Sequence, residues 1–226
     1  MLSRHLRLAH SVKNCDIDCN MNYPADFWND KFAAASYLYG TSPNSYFKEQ
    51  IDVAPKPGRL LLLAEGEGRN AVYAAGKGWE VTAVDFSKKG REKALQLADL
   101  HGVEINYLIA DIAELNFSAF GQLDVIGLFY AHFPSQTRRQ IHQNCVTALS
   151  PTGKVWLEAF NPKQLSRQSG GPKNPDMLYT KELLLTDFQG LTAHEAIETA
   201  VNLEEGPGHQ GLGEVVRLSL VNSTGK

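Results

Sequence analysis

The chain has 226 residues, which is enough for one α/β domain with a sizeable core and short for two independent domains. Hydrophobic residues make up 43% and charged residues 21%, and no apolar run approaches the roughly 18 residues of a membrane span. The net charge of −3 predicts no basic face for a nucleic-acid backbone. We therefore expect a cytoplasmic monomer or homodimer with a small partner, and neither nucleic acid nor membrane.

We expect neither a metal site nor a targeting segment in the first residues of the chain. Cys15 and Cys19 are four residues apart, but no second Cys/His pair follows at metal-site spacing, so we expect no metal. With Cys145 the cysteine count is odd and predicts no disulfide framework. The early leucines are interrupted and no small-residue cleavage site follows. Residues 1–22 are predicted to be a flexible tail, and 23–226 a single domain.

Aromatic residues are frequent in the first part of this domain. The stretch from Phe27 to Tyr39 predicts one helix that ends at Gly40, before a turn-like Thr41–Asn44. We interpret residues 23–50 as a helical lid over a ligand, although plain packing onto the domain would use the same side chains: Phe27, Trp28, Phe32, Tyr37, Tyr39 and Tyr46.

From Leu60 onward, strand and helix signals alternate. Helices are predicted from Asn70 to Gly76 or Gly78, from Ser87 to about Gly102 and from Ser135 to about Pro151. The last two strands flank a glycine-rich connection and suit an antiparallel hairpin. The predicted fold is α/β, a seven-stranded, Rossmann-like, doubly wound sheet that is mostly parallel with an antiparallel C-terminal hairpin. Its strands are 59–64, 79–84, 105–110, 123–130, 154–160, 192–203 and 214–222.

Three features follow successive strands and point to one ligand. The first strand runs directly into Gly66-x-Gly68 and a helix, which brings backbone N–H groups close to a ligand. Asp85 ends the second strand, 17 residues after Gly68, where a carboxylate can accept both ribose hydroxyls. Asp111 ends the third strand, where it is placed to contact an adenine edge. Alternatively, the glycines only permit helix packing and the two aspartates are helix caps or turn residues.

Four segments make the chain resemble the class I S-adenosylmethionine-dependent methyltransferases from about residue 27 to its end. The resemblance is greatest to the tellurite-resistance and thiopurine-type small-molecule branch, and the segments are Tyr39-Gly40-Thr41-x-Pro43-Asn44, Glu65-Gly66-Glu67-Gly68-Arg69-Asn70, Val84-Asp85-Phe86-Ser87 and His132-Phe133-Pro134. The resemblance implies S-adenosylmethionine as cofactor, S-adenosylhomocysteine as product and a small-molecule nucleophile as methyl acceptor: a thiol, a chalcogen oxyanion or similar.

The resemblance also implies which residues bind the cofactor. These are Ala64, Glu65, Gly66, Gly68, Arg69, Asn70, Asp85, Phe86, Ser87, Asp111, Ile112 and Tyr130. Two positions depart from the family pattern, since Leu62 replaces its usual acid and Ala64 its first glycine. The contact to the methionine amino group is therefore left open between Glu65, backbone carbonyls and the N-terminal segment. The alternative for Glu65 and Glu67 is that both are solvated loop carboxylates.

Residues after the fourth and fifth strands open onto the same crevice and are the candidates for the substrate side. His132 is the candidate catalytic residue, because a histidine can accept a proton near neutral pH; packing or substrate contact is its alternative role. His209 belongs here or is an exposed loop histidine. The predicted substrate-side residues are Tyr39, Phe133, Phe160, Asn161 and His209.

Two other functions compete with methyl transfer. Leu62 in place of an acid leaves open a catalytically inactive cofactor-binding domain that acts as a sensor or partner. A nicotinamide-dependent oxidoreductase would use a similar glycine loop, but position 71 is Ala where a third glycine is expected, and the terminal hairpin argues against it.

Overall fold

A computed structural model of the protein describes residues 25–223. The predicted tail at 1–22, with Cys15 and Cys19, lies outside the described residues. In the described part, no helix is long and apolar enough to cross a membrane.

The described residues form one seven-stranded sheet in the order β3-β2-β1-β4-β5-β7-β6. The first five strands run parallel, and β7 is inserted antiparallel between β5 and β6. This confirms the predicted fold class, including its antiparallel end. The strands are β1 (Arg59–Leu63), β2 (Glu80–Asp85), β3 (Asn106–Ile109), β4 (Leu123–Phe129), β5 (Leu149–Phe160), β6 (Thr192–Glu205) and β7 (His209–Val221).

Helices cover both faces of the sheet. They are α1 (Ala25–Lys31), α2 (Ser45–Val53), α3 (Arg69–Gly76), α4 (Lys88–Leu100), α5 (Ser135–Ala148) and α6 (Lys181–Asp187). In β1, Leu60 and Leu62 pack in the core beside α2, α3 and α4, while Leu61 and Leu63 pack in the core beside α5 and α6. A strand buried on both faces has no polar alternation, which explains the continuous leucine run.

The predicted helix from Phe27 to Tyr39 is wrong beyond its second turn. Helix α1 ends at Lys31, and the chain that follows is irregular as far as α2. The reason lies in α4, where the Lys93 ammonium donates to the carbonyls of Ala34 at 2.9 Å and Ser36 at 2.7 Å. These carbonyls therefore face a buried cation instead of the N–H groups of a following helical turn.

Helix α2 was not predicted. It begins after Asn44, whose side chain accepts a hydrogen bond from the Phe47 N–H at 2.9 Å, as an N-cap does. Its Tyr46, Phe47 and Ile51 are buried in the core. Only three of the nine residues of α2 are buried, so the apolar periodicity is too short to predict the helix from the sequence.

The terminal hairpin is longer and tighter than predicted. Strand β6 continues to Glu205 and β7 begins at His209, so the turn comprises only residues 206–208. Pairing continues through Gly213, where an added Cβ would lie 2.7 Å from the Leu203 side chain across the hairpin. Glycine at this position therefore allows close cross-strand packing and is not the sign of a loop.

Candidate functional site

A cavity of about 400 Å³ lies at the carboxyl edge of the parallel strands. This volume is typical of small-molecule sites, which span about 300–1,000 Å³. The predicted site residues that line it are Tyr39, Ala64, Glu65, Gly66, Arg69, Asn70, Asp85, Phe86, Asp111, Ile112, Tyr130, His132, Phe133, Phe160 and His209. Gly68, Ser87 and Asn161 are not among its lining residues.

The three residues outside the lining have structural contacts instead. An added Cβ at Gly68 would lie 2.4 Å from the Ala94 Cβ, so this glycine permits α3 and α4 to pack closely. Ser87 caps α4 by accepting from the Gly90 N–H. Asn161 caps the 3₁₀ turn Pro162–Ser166 and donates to the Val215 carbonyl.

Glu65 is buried at the start of α3 and is not a solvated carboxylate. Its Oε1 accepts hydrogen bonds from the Asn70 N–H at 2.9 Å and the Ala71 N–H at 2.8 Å. It therefore satisfies two of the free N–H groups at the helix N-terminus. Burial raises the pKa of Glu65 to about 7, although these bonds and the Arg69 charge oppose the rise.

Glu67 is also buried, and it connects three parts of the chain. Its carboxylate forms an ion pair with Lys93 of α4 and accepts the Leu38 N–H at 2.8 Å. The loop after β1 is thereby tied to α4 and to the segment that follows α1. The alternative of a solvated carboxylate does not hold for Glu67 either.

Asp85 connects the ends of β1 and β2. Its Oδ2 accepts from the Gly66 N–H at 3.0 Å and its Oδ1 from the Ser87 N–H at 2.8 Å. Burial raises its pKa to about 6 despite these bonds. The carboxyl group thus holds the glycine loop in place and forms part of the cavity wall.

One end of the cavity combines carboxyl groups with apolar side chains. We call it the nucleoside end, after the ribose and adenine that are expected there from the sequence. Asp85 and Phe86 follow β2, and Asp111 and Ile112 follow β3. Asp111 also caps a 3₁₀ turn, since its Oδ1 accepts from the Ala113 N–H at 2.9 Å. Because carboxylates accept from hydroxyl and amino groups and the apolar side chains can flank a flat base, these residues fit a purine nucleoside.

The loop between β1 and α3 approaches the cavity with its backbone. Ala64 and Gly66 have φ values of +55° and +59°, in the left-handed region. An added Cβ at Gly66 would lie 3.2 Å from the Phe32 ring, which is a tight contact, and the left-handed φ itself favours glycine here. Ala64 stands where the family pattern has a glycine, and its left-handed conformation carries a cost in backbone strain.

Tyr130, at the end of β4, is held in an uncommon conformation. Its φ is +55° and its N–H donates to the Glu158 carbonyl at 2.7 Å. The buried hydroxyl makes no well-formed hydrogen bond within residues 25–223, and burial together with the nearby Glu158 carboxylate raises its pKa. A strained residue with an unpaired polar atom at a cavity is typical of a binding site.

His132 does not have the geometry of a proton acceptor. Its Nδ1 lies 2.6 Å from the Met177 carbonyl, and its Nε2 accepts from the Phe160 N–H at 3.4 Å. Burial lowers its pKa to about 4. Both ring nitrogens are therefore engaged by main-chain groups, which favours the packing role over the predicted catalytic one.

His209 is buried beside the cavity instead of lying exposed in a loop. Its ring centroid is 4.5 Å from that of Tyr39, 4.4 Å from Tyr130 and 5.2 Å from Phe160. Its Nδ1 lies 3.2 Å from a carboxylate oxygen of Glu205. Burial lowers the pKa of His209, and the carboxylate of Glu205 partly offsets this effect.

Glu205 was not predicted as a site residue, yet it connects several groups behind the cavity wall. It accepts from Arg69 at 3.0 Å and from Asn44 Nδ2 at 2.9 Å. Burial alone would raise its pKa, but the bonds from His209 and Arg69 hold the pKa at about 2. Its role depends on cross-strand pairing with His209, which the hairpin's sequence pattern does not reveal.

The aromatic residues of the predicted lid divide into two groups. Trp28, Phe32 and Tyr39 line the cavity, and the rings of Trp28 and Phe32 stack 5.4 Å apart. Tyr37 bonds to the Lys93 carbonyl, and Tyr46 is in the core. Further lining residues, which were not predicted, are Ala25, Phe129, Thr137, Ile141, Gly171, Pro172 and Met177.

Within residues 25–223, no group of three or more His, Cys, Asp or Glu side chains is arranged to hold a metal ion. Cys145 is buried within the core, and burial raises the pKa of its thiol.

Sequence comparison matches residues 60–153 to the family model described as a methyltransferase domain. No curated protein sequence matches the chain. The matched segment contains β1 to β4 and the start of β5, and thus the nucleoside end of the cavity.

Several solved structures share the fold, and one of them is an N-methyltransferase. A protein from work on the conversion of a disulfide bond into a thioacetal group during echinomycin biosynthesis has a TM-score of 0.72 and 15% identity, covering 89% of this chain and 91% of that one. TehB from Haemophilus influenzae has a TM-score of 0.64 and 15% identity, covering 87% and 66%. The N-methyltransferase NodS from Bradyrhizobium japonicum WM9, in complex with S-adenosylhomocysteine, has a TM-score of 0.63 and 14% identity, covering 88% and 97%.

Proposed function

We infer that this chain, an S-adenosylmethionine-dependent methyltransferase by its domain and fold, methylates a small-molecule nucleophile. The observation that carries this inference is one cavity of about 400 Å³, whose lining combines the carboxyl groups of its nucleoside end with aromatic side chains. When bound, the cofactor supplies a methyl group already activated by its sulfonium. The chain's own residues then have to bind, align the acceptor and exclude water.

The positions of the carboxyl groups support the proposed cofactor-binding roles. Asp85 accepts the ribose hydroxyls, and Asp111 and Ile112 contact the adenine. Glu65 is the acceptor for the methionine amino group, because its Oε2 has only a 3.4 Å contact to Asn70 and the residue lines the cavity. A carboxylate oxygen can accept more than one hydrogen bond, so Glu65 can cap α3 and bind an ammonium group together.

The charges of the cavity favour a neutral acceptor, such as a thiol, over a chalcogen oxyanion. Arg69 is the one Arg or Lys among the described lining residues. Its guanidinium already donates to Glu205 at 3.0 Å and to the Tyr39 carbonyl at 3.1 Å. An oxyanion would lose its hydration without gaining a free cationic partner, and burying an unpaired charge is costly.

Calorimetry with S-adenosylmethionine and S-adenosylhomocysteine, followed by turnover assays, tests this function. We expect both compounds to bind, and we expect methylation of thiols but not of selenite or tellurite. Failure to bind either compound would remove the proposal. Tight binding without transfer to any acceptor would instead favour a sensor, and binding of NAD(P) an oxidoreductase.

A further inference from the structure

Glu205 and His209 pair across the turn between β6 and β7. The turn is fixed from outside, because the Gly208 N–H donates to the Leu38 carbonyl at 2.8 Å. The imidazole ring is fixed from inside by its contacts with Tyr39 and Tyr130. The hairpin therefore holds one histidine in a single orientation at the wall of the cavity.

The partner of Nδ1 determines which nitrogen carries the proton. Because the pKa of Glu205 is about 2, its carboxylate is ionised and acts only as an acceptor for the imidazole. Nδ1, 3.2 Å from that carboxylate, is therefore the protonated nitrogen of the neutral ring. None of the described residues hydrogen-bonds Nε2, and His209 lines the cavity. Nε2 thus offers a lone pair to whatever occupies the cavity beside the aromatic side chains.

The surrounding charges keep the ring neutral near neutral pH. Burial lowers the pKa of His209, the Glu205 carboxylate raises it, and the Arg69 guanidinium lowers it. The net effect is a lowered pKa, so the neutral imidazole prevails. The titratable and charged groups that face it are Glu205 of β6, Arg69 of α3, Glu158 of β5, Tyr39 before α2, and Tyr130 and His132 after β4.

Other titratable groups at the cavity are less suited to accept a proton from an acceptor molecule. Both nitrogens of His132 have main-chain partners. The carboxyl groups of Glu65 and Asp85 accept hydrogen bonds from the glycine loop and the start of α3, at the nucleoside end. His209 alone combines a free nitrogen, an oriented ring and a place among the aromatic residues.

We propose that His209 accepts the proton of the methyl acceptor, that Glu205 is its positioning residue, and that the acceptor is a neutral, largely apolar molecule with a protic X–H group. This rests on the proposed methyl transfer. The X–H bond breaks and its proton passes to Nε2 of His209. The electron pair left on X forms the bond to the methyl carbon, and the pair of the broken methyl–sulfur bond stays on sulfur. The imidazolium pairs with Glu205 until its proton is released to water.

Two thiols of similar polarity but different acidity test the proposal. 2-Phenylethanethiol carries an alkyl thiol, which is less acidic than a cysteine side chain of pKa about 8.5 and so holds its proton at pH 7, whereas benzenethiol is more acidic. At pH 7 we expect His209→Asn to lower kcat for 2-phenylethanethiol by roughly 100-fold or more and for benzenethiol by less than about tenfold, because general-base catalysis contributes roughly 10²–10⁴-fold where the nucleophile holds its proton. Glu205→Gln should also lower kcat more for 2-phenylethanethiol than for benzenethiol, with smaller losses than His209→Asn.

Matched controls lie on the same hairpin. His194→Asn and Glu204→Gln change exposed residues of β6 and should leave both rates unchanged. All four variants should bind S-adenosylhomocysteine within about threefold of the wild type, which separates a proton-transfer defect from loss of the cofactor site.

Imidazole nitrogen NMR provides a readout that needs no turnover. At pH 7 the wild type should show His209 with hydrogen on Nδ1 and a bare Nε2, and Glu205→Gln should move its titration to lower pH. Equal rate losses for both thiols, unchanged rates in His209→Asn, an Nε2–H tautomer, or a wild type that binds S-adenosylhomocysteine and methylates neither thiol would each overturn the proposal. Absence of S-adenosylhomocysteine binding would instead overturn the proposed function.

Discussion

Asp85 combines a structural and a ligand-binding position in one side chain. Its two oxygens accept the N–H groups of Gly66 and Ser87, on the loops after β1 and β2. The same carboxyl group faces the cavity, where ribose hydroxyls would be donors. Loss of its charge therefore affects the loop and the ligand together.

The substitution Asp85→Asn tests this position. The new amide keeps one acceptor oxygen but turns an NH₂ group towards a backbone N–H, so we expect the Kd for S-adenosylhomocysteine to rise by roughly 10- to 100-fold, or about 1.4–2.8 kcal/mol. Calorimetry measures the change, with Asp99→Asn on the exposed side of α4 as control. An unchanged Kd would contradict the assignment of Asp85 to the ribose.

Ala64 shows the cost of departing from the glycine pattern. At φ +55° its Cβ is strained, and glycine would relieve that strain while adding chain entropy in the unfolded state. We expect Ala64→Gly to raise the free energy of unfolding by up to about 1 kcal/mol, measured by urea denaturation. Ala75→Gly, within α3, should lower it by about 0.5 kcal/mol. A loss of stability in Ala64→Gly equal to that in Ala75→Gly would show that position 64 is unstrained.

Among the elements, α4 positions the segment that covers the cavity. The side chains of Lys93 and Glu67 are only 9% and 3% exposed. Lys93 also donates to the carbonyls of Ala34 and Ser36, so a single cation holds the chain between α1 and α2. The cavity wall formed by Phe32 and Tyr39 depends on this attachment.

Replacing Lys93 should lower the free energy of unfolding far more than replacing the exposed Lys89 of the same helix. Lys93→Met leaves Glu67 buried without its cationic partner, so we expect a loss of about 3–5 kcal/mol in the free energy of unfolding. Lys89→Met, on the same helix in a pair whose lysine is 49% exposed, should cost less than about 1 kcal/mol. Urea denaturation measures both, and the double variant Glu67→Gln/Lys93→Met should recover part of the loss. Equal effects of the two single substitutions would argue against the buried pair.

At the scale of the whole molecule, the cavity concentrates carboxyl groups whose pKa values are raised by burial. Glu65 rises to about 7 and Asp85 to about 6. In the pH range between their unfolded and folded pKa values, the folded state holds more protons than the unfolded one. Stability from these groups is therefore full at low pH and lost as pH rises through the folded pKa values.

Comparison with Glu65→Gln isolates the contribution of Glu65 to the pH dependence of stability. The buried histidines, whose pKa values are lowered, make stability rise with pH instead. We expect the stability of the wild type relative to Glu65→Gln to fall by about 3 kcal/mol between pH 4 and pH 8, because a shift of one pKa unit corresponds to about 1.4 kcal/mol. Urea denaturation across this range measures the difference. S-adenosylmethionine should restore more stability at pH 8 than at pH 5, since its ammonium group favours the ionised Glu65. A difference that is flat with pH would refute the role of Glu65.

Much of the fold follows from local patterns. Apolar runs bounded by turn residues predict the strands, and Asp85 and Asp111 are found at strand ends because such ends meet at one edge of a parallel sheet. The helix expected up to Tyr39 is wrong because Lys93, distant in sequence, binds its carbonyls. The predicted cytoplasmic location and the monomeric or dimeric state stay predictions.

The sequence by itself determined the order of the seven strands, the helices that follow β1, β2 and β4, and the antiparallel end, because these depend on periodicity and on turn residues. Its short motifs predicted the cofactor. Only the tertiary structure decided which histidine has a ring nitrogen without a hydrogen-bond partner among the described residues. His132 and His209 are alike as sequence features, but one has both nitrogens bound to backbone groups and the other pairs with Glu205 across a turn. Hydrogen-bond partners of this kind depend on strand register and loop packing, which are set by contacts between distant residues.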